Sequence, residues 1–327
     1  MSGNTIKRIG VLTSGGDAPG MNAAIRSVVR SANARGIDCI GIRRGYTGLS
    51  TGDFMNMDSD SVNRIIHLGG TKLYTARCDE FRTEEGQKKA AATCKLLGLD
   101  GIVTIGGDGT FRGAQALSKH GISVVGIPCT IDNDISCTDY TIGFDTAVNT
   151  AVECIDKLRD TMQSHERCSV VEVMGRRAGY LALYVGLAIG ATAVLIPESE
   201  YDFKNHVAEK IRRARLNGKT NFTIVVAEGS ASAVDVGKQI KEELGLDPRV
   251  TILGHIQRGG SPTAKDRVMA TRMGYEAVRV LAEGKTNRVI CAVEDDRLVD
   301  IDIDKALSMH KTIDEEEFTV LKVMTGV

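Results

Sequence analysis

Glycines at the end of an apolar run free backbone N–H groups to hold an anion, whereas an aspartate among them should repel it. The stretch Thr104-Ile-Gly-Gly-Asp-Gly-Thr110 contains both. A divalent cation standing between Asp108 and a phosphate reconciles the two. On that reading Gly106, Gly107 and Gly109 leave room for the phosphates of a nucleotide. Asp108 is then a metal ligand, direct or through water, and Thr110 caps the helix that follows. The plainer reading makes Asp108 itself a cap.

Four other stretches carry residues of the same chemical kind. Ser14-Gly-Gly-Asp-Ala-Pro-Gly-Met-Asn22 is a second glycine-rich loop, lacking both the G-x-x-x-x-G-K-[ST] and the G-x-G-x-x-G spacing. It is either an anion cradle or an ordinary turn between a strand and a helix. Pro128-Cys-Thr-Ile-Asp-Asn-Asp134 packs Asp132, Asn133 and Asp134 into three positions. Phosphoryl transfer needs metal ligands and a group to take the acceptor hydroxyl's proton, and an acid cluster can supply both. An Asx-rich turn is the alternative. Glu172-Val-Met-Gly-Arg-Arg-Ala-Gly179 brings two arginines after a strand, suited to bidentate phosphate binding or to plain solvation. Leu253-Gly-His-Ile-Gln-Arg-Gly-Gly-Ser261 places His255 three residues before Arg258, to hold a sugar phosphate or simply to cap a loop. With no cysteine or histidine near His255, zinc is not indicated.

These loops need elements to hold them. Short β-branched runs at 6–13, 102–105, 123–127, 169–173, 193–196, 223–227 and 250–253 predict strands, with helical patterns between them. Over 148–162, Val148, Ala151, Val152, Ile155, Leu158 and Met162 recur at helical spacing, while Asn149, Glu153, Asp156 and Asp160 fall on the other face. Near-continuous apolar strands alternating with amphipathic helices imply parallel sheets covered on both faces. Ligands then gather at the carboxyl ends of the strands, where the five stretches fall. Gly10-Val-Leu-Thr-Ser-Gly-Gly-Asp17 also echoes Gly101-Ile-Val-Thr-Ile-Gly-Gly-Asp108. Two strand ends closing in Gly-Gly-Asp suit two loops facing one polyphosphate.

The bulk composition excludes several classes. The 327 residues suffice for two domains. Lysine plus arginine total 41 against 42 acids, so nothing general draws the chain to nucleic acid or to an anionic membrane. Tryptophan is absent and aromatics are few, which disfavours base-stacking surfaces. The eight cysteines form no C-x-x-C pair, as expected of buried reduced thiols in the cytosol. No apolar run approaches a membrane span, and the first residues show no signal-peptide pattern. A soluble, cytoplasmic protein is expected.

Taken together and in this order, TSGGDAPGMNAAIR, IGGDGT, TIDND, TIGFDTA, EVMGRRAGY and LGHIQRGGSP resemble the bacterial ATP-dependent 6-phosphofructokinases, over nearly the whole chain. The resemblance implies two similar Rossmann-like three-layer α/β/α domains with mostly parallel sheets. Residues 1–142 with 256–304 would bind ATP and Mg²⁺, and 143–255 with 305–327 would bind fructose 6-phosphate. Carried over by position, Gly15, Arg77, Cys78, Gly107, Asp108, Gly109 and Thr110 would hold nucleotide and metal. Thr130 and Asp132 would meet the sugar's 1-hydroxyl, Asp132 as base, with Arg77 and Arg176 also in the catalytic set. Met174, Gly175, Arg176, Glu228, His255 and Arg258 would hold the sugar phosphate, while Arg167 and Arg249 would reach the neighbouring subunit's pocket. The implied assembly is a homotetramer with shared active sites.

Two rival functions follow from the same residues. Pyrophosphate-dependent relatives typically carry Asp at the position of Gly109 and Lys at that of Cys129; glycine and a small neutral thiol here leave a nucleotide pocket open. A non-catalytic sugar-phosphate sensor would lack acids or cations of the motifs, yet Asp108, Asp132, Arg77 and Arg176 are all present. For regulation, Arg26, Arg30, Arg159 and Lys219 match a family site for ADP or phosphoenolpyruvate. Ser59, Thr192 and Asn217 stand where an arginine, an acid and a lysine are frequent, so feeble regulation is expected.

Overall fold

The computed structural model describes residues 6–325; the outer ends of the expected domain segments, 1–5 and 326–327, lie outside the described residues. Along the chain run β1 (Arg8–Thr13), α1 (Met21–Asn33), β2 (Asp38–Ile42), α2 (Tyr46–Thr51), β3 (Phe54–Met57), α3 (Glu84–Leu96), β4 (Gly101–Gly106), α4 (Asp108–Lys119), β5 (Val124–Pro128) and α5 (Phe144–Ser164). There follow β6 (Cys168–Val173), α6 (Tyr180–Ile189), β7 (Ala193–Leu195), α7 (Glu209–Leu216), β8 (Phe222–Ala227), α8 (Ala233–Leu244) and β9 (Arg249–Ile252). The chain closes with α9 (Ala264–Ala282), β10 (Arg288–Val293), β11 (Arg297–Asp302), α10 (Ile303–Ser308) and α11 (Glu315–Met324).

Two compact units result. The first comprises Met1–Thr130, Ile135–Asp145 and Arg258–Lys311; the second comprises Ile131–Asp134, Thr146–Gln257 and Thr312–Val327. Both are parallel-sheet α/β folds, as the alternation of apolar runs and helical patterns predicts. The first sheet has the order β11-β10-β5-β4-β1-β2-β3, parallel except where β3 pairs with β2 and β11 with β10. The sequence reading marked neither of those antiparallel edges. β11 alternates apolar and acidic residues over Val299-Asp-Ile-Asp302 and is half-buried, the pattern of an edge rather than of a buried strand. The second sheet, β7-β8-β6-β9, is parallel throughout.

Each sheet is buttressed by its own core. In the first unit Leu12, Ile102, Val124 and Phe111 are buried together, and the Phe111 ring lies where a side chain on Gly126 would stand, 2.6 Å from its Cβ position. That close approach seats α4 directly over β5. Tyr46 stacks on Phe81 at 4.3 Å between ring centroids, and its hydroxyl donates to the Thr110 carbonyl at 2.5 Å, tying α2 to the first turn of α4. In the second unit Val170, Ile224 and Val226 of the central strands pack with Val207, Ile211 and Val236 from the covering helices. The expected helix over 148–162 is longer, spanning Phe144–Ser164. The segment 204–208 forms a π-helical turn, a rare form that concentrates at functional positions.

Candidate active site

In the first unit, β1 and β4 lie side by side in parallel register, Thr13 beside Ile105, so their two Gly-Gly-Asp loops emerge from one edge. Ser14 N donates to the Ile105 carbonyl at 3.0 Å and continues the ladder into the loop. The Thr110 hydroxyl then donates to the Ser14 carbonyl at 3.0 Å, joining the loops. Thr110 is therefore not the helix cap expected from sequence. Gly107 holds the cap position of α4 without a side-chain hydrogen bond, and Thr110 spends its hydroxyl on the neighbouring loop. Gly106 is required here, because a Cβ would collide with both the Ser14 carbonyl and the Thr110 hydroxyl. At Gly107 and Gly109 a Cβ would meet nothing within 4 Å, so these two border open space.

The helix N-terminus of α4 faces that space with its partial positive charge, and Asp108 stands exposed in its first turn. Arg77 and Cys78 lie on a loop fastened over the end of β1. Thr13 Oγ1 donates to the Tyr74 carbonyl at 2.9 Å, and Thr75 Oγ1 donates to the Gly15 carbonyl at 2.6 Å. Arg77 is exposed, and Cys78 packs partly against the core. Arg258 also belongs to this unit, where its Nη1 donates to the Asp17 carbonyl at 3.3 Å. Cys129 follows β5 and is 1 % exposed; burial pushes its thiol well above the ordinary range, so it is a neutral group. Its N–H donates to the Gly106 carbonyl at 3.0 Å, holding the end of β5 to the end of β4.

An exposed carboxylate beside open backbone fits the habits of Mg²⁺. Magnesium keeps several waters and takes one or two carboxylates plus substrate phosphates rather than an all-protein cage. Among the described residues no cluster of three acid, histidine or cysteine side chains forms such a cage. Asp108 is placed to serve as a single protein ligand.

In the second unit the carboxyl ends of β6, β8 and β9 converge. Gly175 has φ +139° and Arg176 φ +54°, a turn that only a glycine and an outside restraint would hold. Glu228, just past β8, supplies the restraint: one carboxylate oxygen accepts from Gly175 N at 3.2 Å and from Arg176 N at 2.8 Å. Met174 N donates to Gln257 Oε1 at 2.9 Å, and Gln257 is fully buried. Gln257 is a positioning residue that sequence reading passed over; its place between His255 and Arg258 was the only signal. His255 is exposed in the short helical turn after β9. Asp132 belongs to this unit as well, 2 % exposed, with the Arg176 guanidinium Nε 4.0 Å from its Oδ2. Thr130, its expected companion, closes the preceding segment of the first unit, and the Thr141 hydroxyl donates to its carbonyl at 2.7 Å.

The structure thus gathers Asp132, Met174, Gly175, Arg176, Glu228 and His255, and it leaves Arg167 and Arg249 elsewhere. Arg167 immediately precedes β6, and Arg249 opens β9 in register with Ser169. Both lie at the amino ends of strands whose carboxyl ends carry the other residues. A six-residue strand spans about 20 Å, so neither arginine can share a pocket with its own chain's Arg176. The cations expected at an effector site sit in two groups. Arg26 and Arg30 are on α1, and Arg30 Nη1 donates to Asn63 at 3.2 Å. Arg159 is near the end of α5, and Lys219 Nζ donates to Thr192 Oγ1 at 3.2 Å. Burial, and then the charge of Arg159, push the Lys219 ammonium down. Ser59 Oγ donates to Asn33 Oδ1 at 3.3 Å, and Asn217 is exposed at the end of α7.

Comparison with known proteins is specific. The profile of the family described as "Phosphofructokinase" matches residues 8–281. The chain is 52% identical over 320 residues to the ATP-dependent 6-phosphofructokinase of Clostridium botulinum strain Hall, covering 98% of this chain and 100% of that relative. It is 56% identical over 310 residues to the ATP-dependent 6-phosphofructokinase 1 of Clostridium perfringens strain 13, covering 95% of this chain and 97% of that one. The solved phosphofructokinase of Saccharomyces cerevisiae superposes with a TM-score of 0.86 at 36% identity, covering 97% of this chain and 46% of the yeast chain.

Proposed function

The chain belongs to the phosphofructokinase family, and from that premise we infer how its residues divide the work of the reaction. It is a kinase that phosphorylates the 1-hydroxyl of fructose 6-phosphate with ATP in glycolysis, rather than a pyrophosphate-dependent relative.

We propose that the first unit binds ATP, with Gly15, Gly107, Gly109 and Thr110 lining the phosphates and Arg77 and Cys78 on the covering loop. The open space at Gly107 and Gly109 supports this, since any side chain there would project into it. Mg²⁺ would be held by Asp108 and would neutralise phosphate charge when bound. The second unit binds fructose 6-phosphate through Met174, Gly175, Arg176, Glu228 and His255, and Arg258 is assigned to the sugar phosphate by the family pattern. Asp132 takes the proton of the 1-hydroxyl, which Thr130 helps to orient. Arg77 and Arg176 offset charge developing on the transferred group. The observation that carries the assignment is Asp132, buried and 4.0 Å from an Arg176 whose backbone Glu228 fixes.

Arg167 and Arg249 complete the pocket of a neighbouring chain, so each sugar site uses the partner subunit's Arg167 and the partner subunit's Arg249. The length of β6 supports this reading, as does the exposed β9 edge with Val250 and Ile252 beside Arg249. The assembly is a homotetramer of the cytoplasm. Arg26, Arg30, Arg159 and Lys219 form a weakened site for ADP or phosphoenolpyruvate. A coupled assay for ADP release tests the whole reading: activity with ATP and fructose 6-phosphate but not with pyrophosphate is expected, and ADP release indifferent to the sugar would overturn it.

A further inference from the structure

One cavity of the second unit takes no part in the reaction. It encloses about 160 Å³ beneath α11, beyond the end of β7, and the π-helical turn at 204–208 forms one side. Ile196, Phe318 and Leu321 give it an apolar wall. Lys210 and Lys322 give it positive charge, His206 adds a ring nitrogen, and no aspartate or glutamate is among the described residues that line it.

Lys210 is the feature that asks for an explanation. It is 8 % exposed, and its ammonium donates to Thr325 Oγ1 at 2.9 Å, its one partner among the described residues. An ammonium carries three donors, and burying a charge with so little compensation is costly. Burial pushes Lys210 down to about 8, which still leaves it mostly protonated at neutral pH. Part of the arrangement is structural, because Thr325 is the C-cap of α11 and a cation is favourable at that end of a helix. That role uses one donor and does not account for the cavity that Lys210 lines. His206, one helical turn before Lys210, accepts from Asp202 N at 3.3 Å through Nδ1, which leaves Nε2 as the donor of the neutral ring. Lys322 Nζ lies 4.3 Å from the centroid of the Phe318 ring, so a cation also flanks the apolar wall.

We propose that this cavity binds a small organic carboxylate, its charged end on the Lys210 ammonium and its hydrocarbon end against Ile196, Phe318 and Leu321. One buried cation matches one negative charge. A phosphate ester carries nearly two charges, and the apolar wall would desolvate its oxygens without replacing their hydrogen bonds. The volume is close to that of cavities that hold a benzene-sized molecule, which limits the guest to a handful of heavy atoms. None of the residues assigned to ATP, fructose 6-phosphate or the effector lines it.

Butyrate is the probe, with butyramide as its uncharged counterpart and inorganic phosphate as the competing anion. Titration calorimetry on the whole enzyme at pH 7 should show butyrate binding at least tenfold tighter than butyramide. Lys210→Met, which keeps the side-chain length and removes the charge, should weaken butyrate at least tenfold and leave turnover with ATP and fructose 6-phosphate unchanged. A crystal grown with butyrate should show its carboxylate within hydrogen-bond distance of Lys210 Nζ. Butyrate binding equally well to wild type and Lys210→Met would overturn the proposal, as would no binding by the wild type at tens of millimolar. So would phosphate binding that depends on Lys210 while butyrate binding does not. The comparison of butyrate with butyramide needs only wild-type protein, so a variant that fails to fold leaves a decisive result.

Discussion

A group that takes a proton in a transition state can be tested by removing its charge and keeping its shape. Asp132→Asn should lower turnover by about 10²–10⁴-fold while fructose 6-phosphate affinity stays within a few-fold, because Glu228 and His255 remain in place. Steady-state kinetics with an equilibrium binding measurement checks both, and near-normal turnover would remove Asp132 from the role of base. Lys210 makes a separate prediction about stability. Its folded value lies near 8, below the ordinary 10.5 of a lysine. Below pH 8 both folded and unfolded chains hold the proton, and the full cost of the buried charge is present. Between about pH 8 and 10.5 the unfolded chain binds more protons, so this group makes stability rise with pH. Its neighbours His206 and Lys322 are common to wild type and variant. Denaturant unfolding at pH 7.5 and 9.5 should show that rise diminished in Lys210→Met; an unchanged rise would mean that the ammonium is not burdened by burial.

The elements contribute by bringing strand ends together. β1 and β4 are adjacent, so two loops that echo one another in sequence open at the same edge, and Thr110 joins them through Ser14. Asp108 sits in the first turn of α4, where a carboxylate already interacts favourably with the helix dipole. Asp108→Ala should therefore cost stability only slightly while raising the KM for Mg·ATP well above any change for fructose 6-phosphate. A parallel loss for both substrates, or a variant whose melting temperature collapses, would assign Asp108 to the fold. Glycines such as Gly15 and Gly175 were legible in the sequence because a positive φ is a local constraint, whereas the need for glycine at 106 comes from the distant Ser14 carbonyl. The task of Thr110 was not legible either, since the carbonyl it reaches belongs to a residue 96 positions away.

For the whole molecule, the separation along β6 and β9 leads to a complementation experiment. Arg249→Ala should damage the neighbouring pocket and His255→Ala its own, so mixed oligomers of two nearly inactive variants should regain measurable activity. No recovery in oligomers proven to be mixed would argue against shared sites. Regulation is a second property at this scale. Thr192 offers Lys219 a hydroxyl where an acid would offer a charge or hold a metal, and Ser59 offers no cation. A charge-assisted hydrogen bond to phosphate contributes roughly 1.5–3 kcal/mol, so losing one should weaken an anionic effector about tenfold or more. Half-saturation for fructose 6-phosphate should then move little with micromolar ADP or phosphoenolpyruvate, and a several-fold shift would show an effector site of full strength.

What the sequence determined by itself is what local chemistry dictates. Apolar runs fixed the parallel α/β class, glycines marked the strand ends, and the joint order of the motifs carried the family and the reaction. Tertiary structure alone decided the relations between residues far apart in the chain. Glu228 reaches back to the amides of Gly175 and Arg176, Gln257 holds Met174, and Asp132 joins the second unit although segments of the first precede and follow it. Arg249 stands a strand's length from Arg176 because β9 lies in register beside β6, a pairing that its residue type could not reveal. The Lys210 cavity arises where α7, β7 and α11 meet, and the sequence records only a lysine of ordinary appearance. A side chain's type is local, whereas its partners, burial and reach depend on which distant segments the sheet brings beside it.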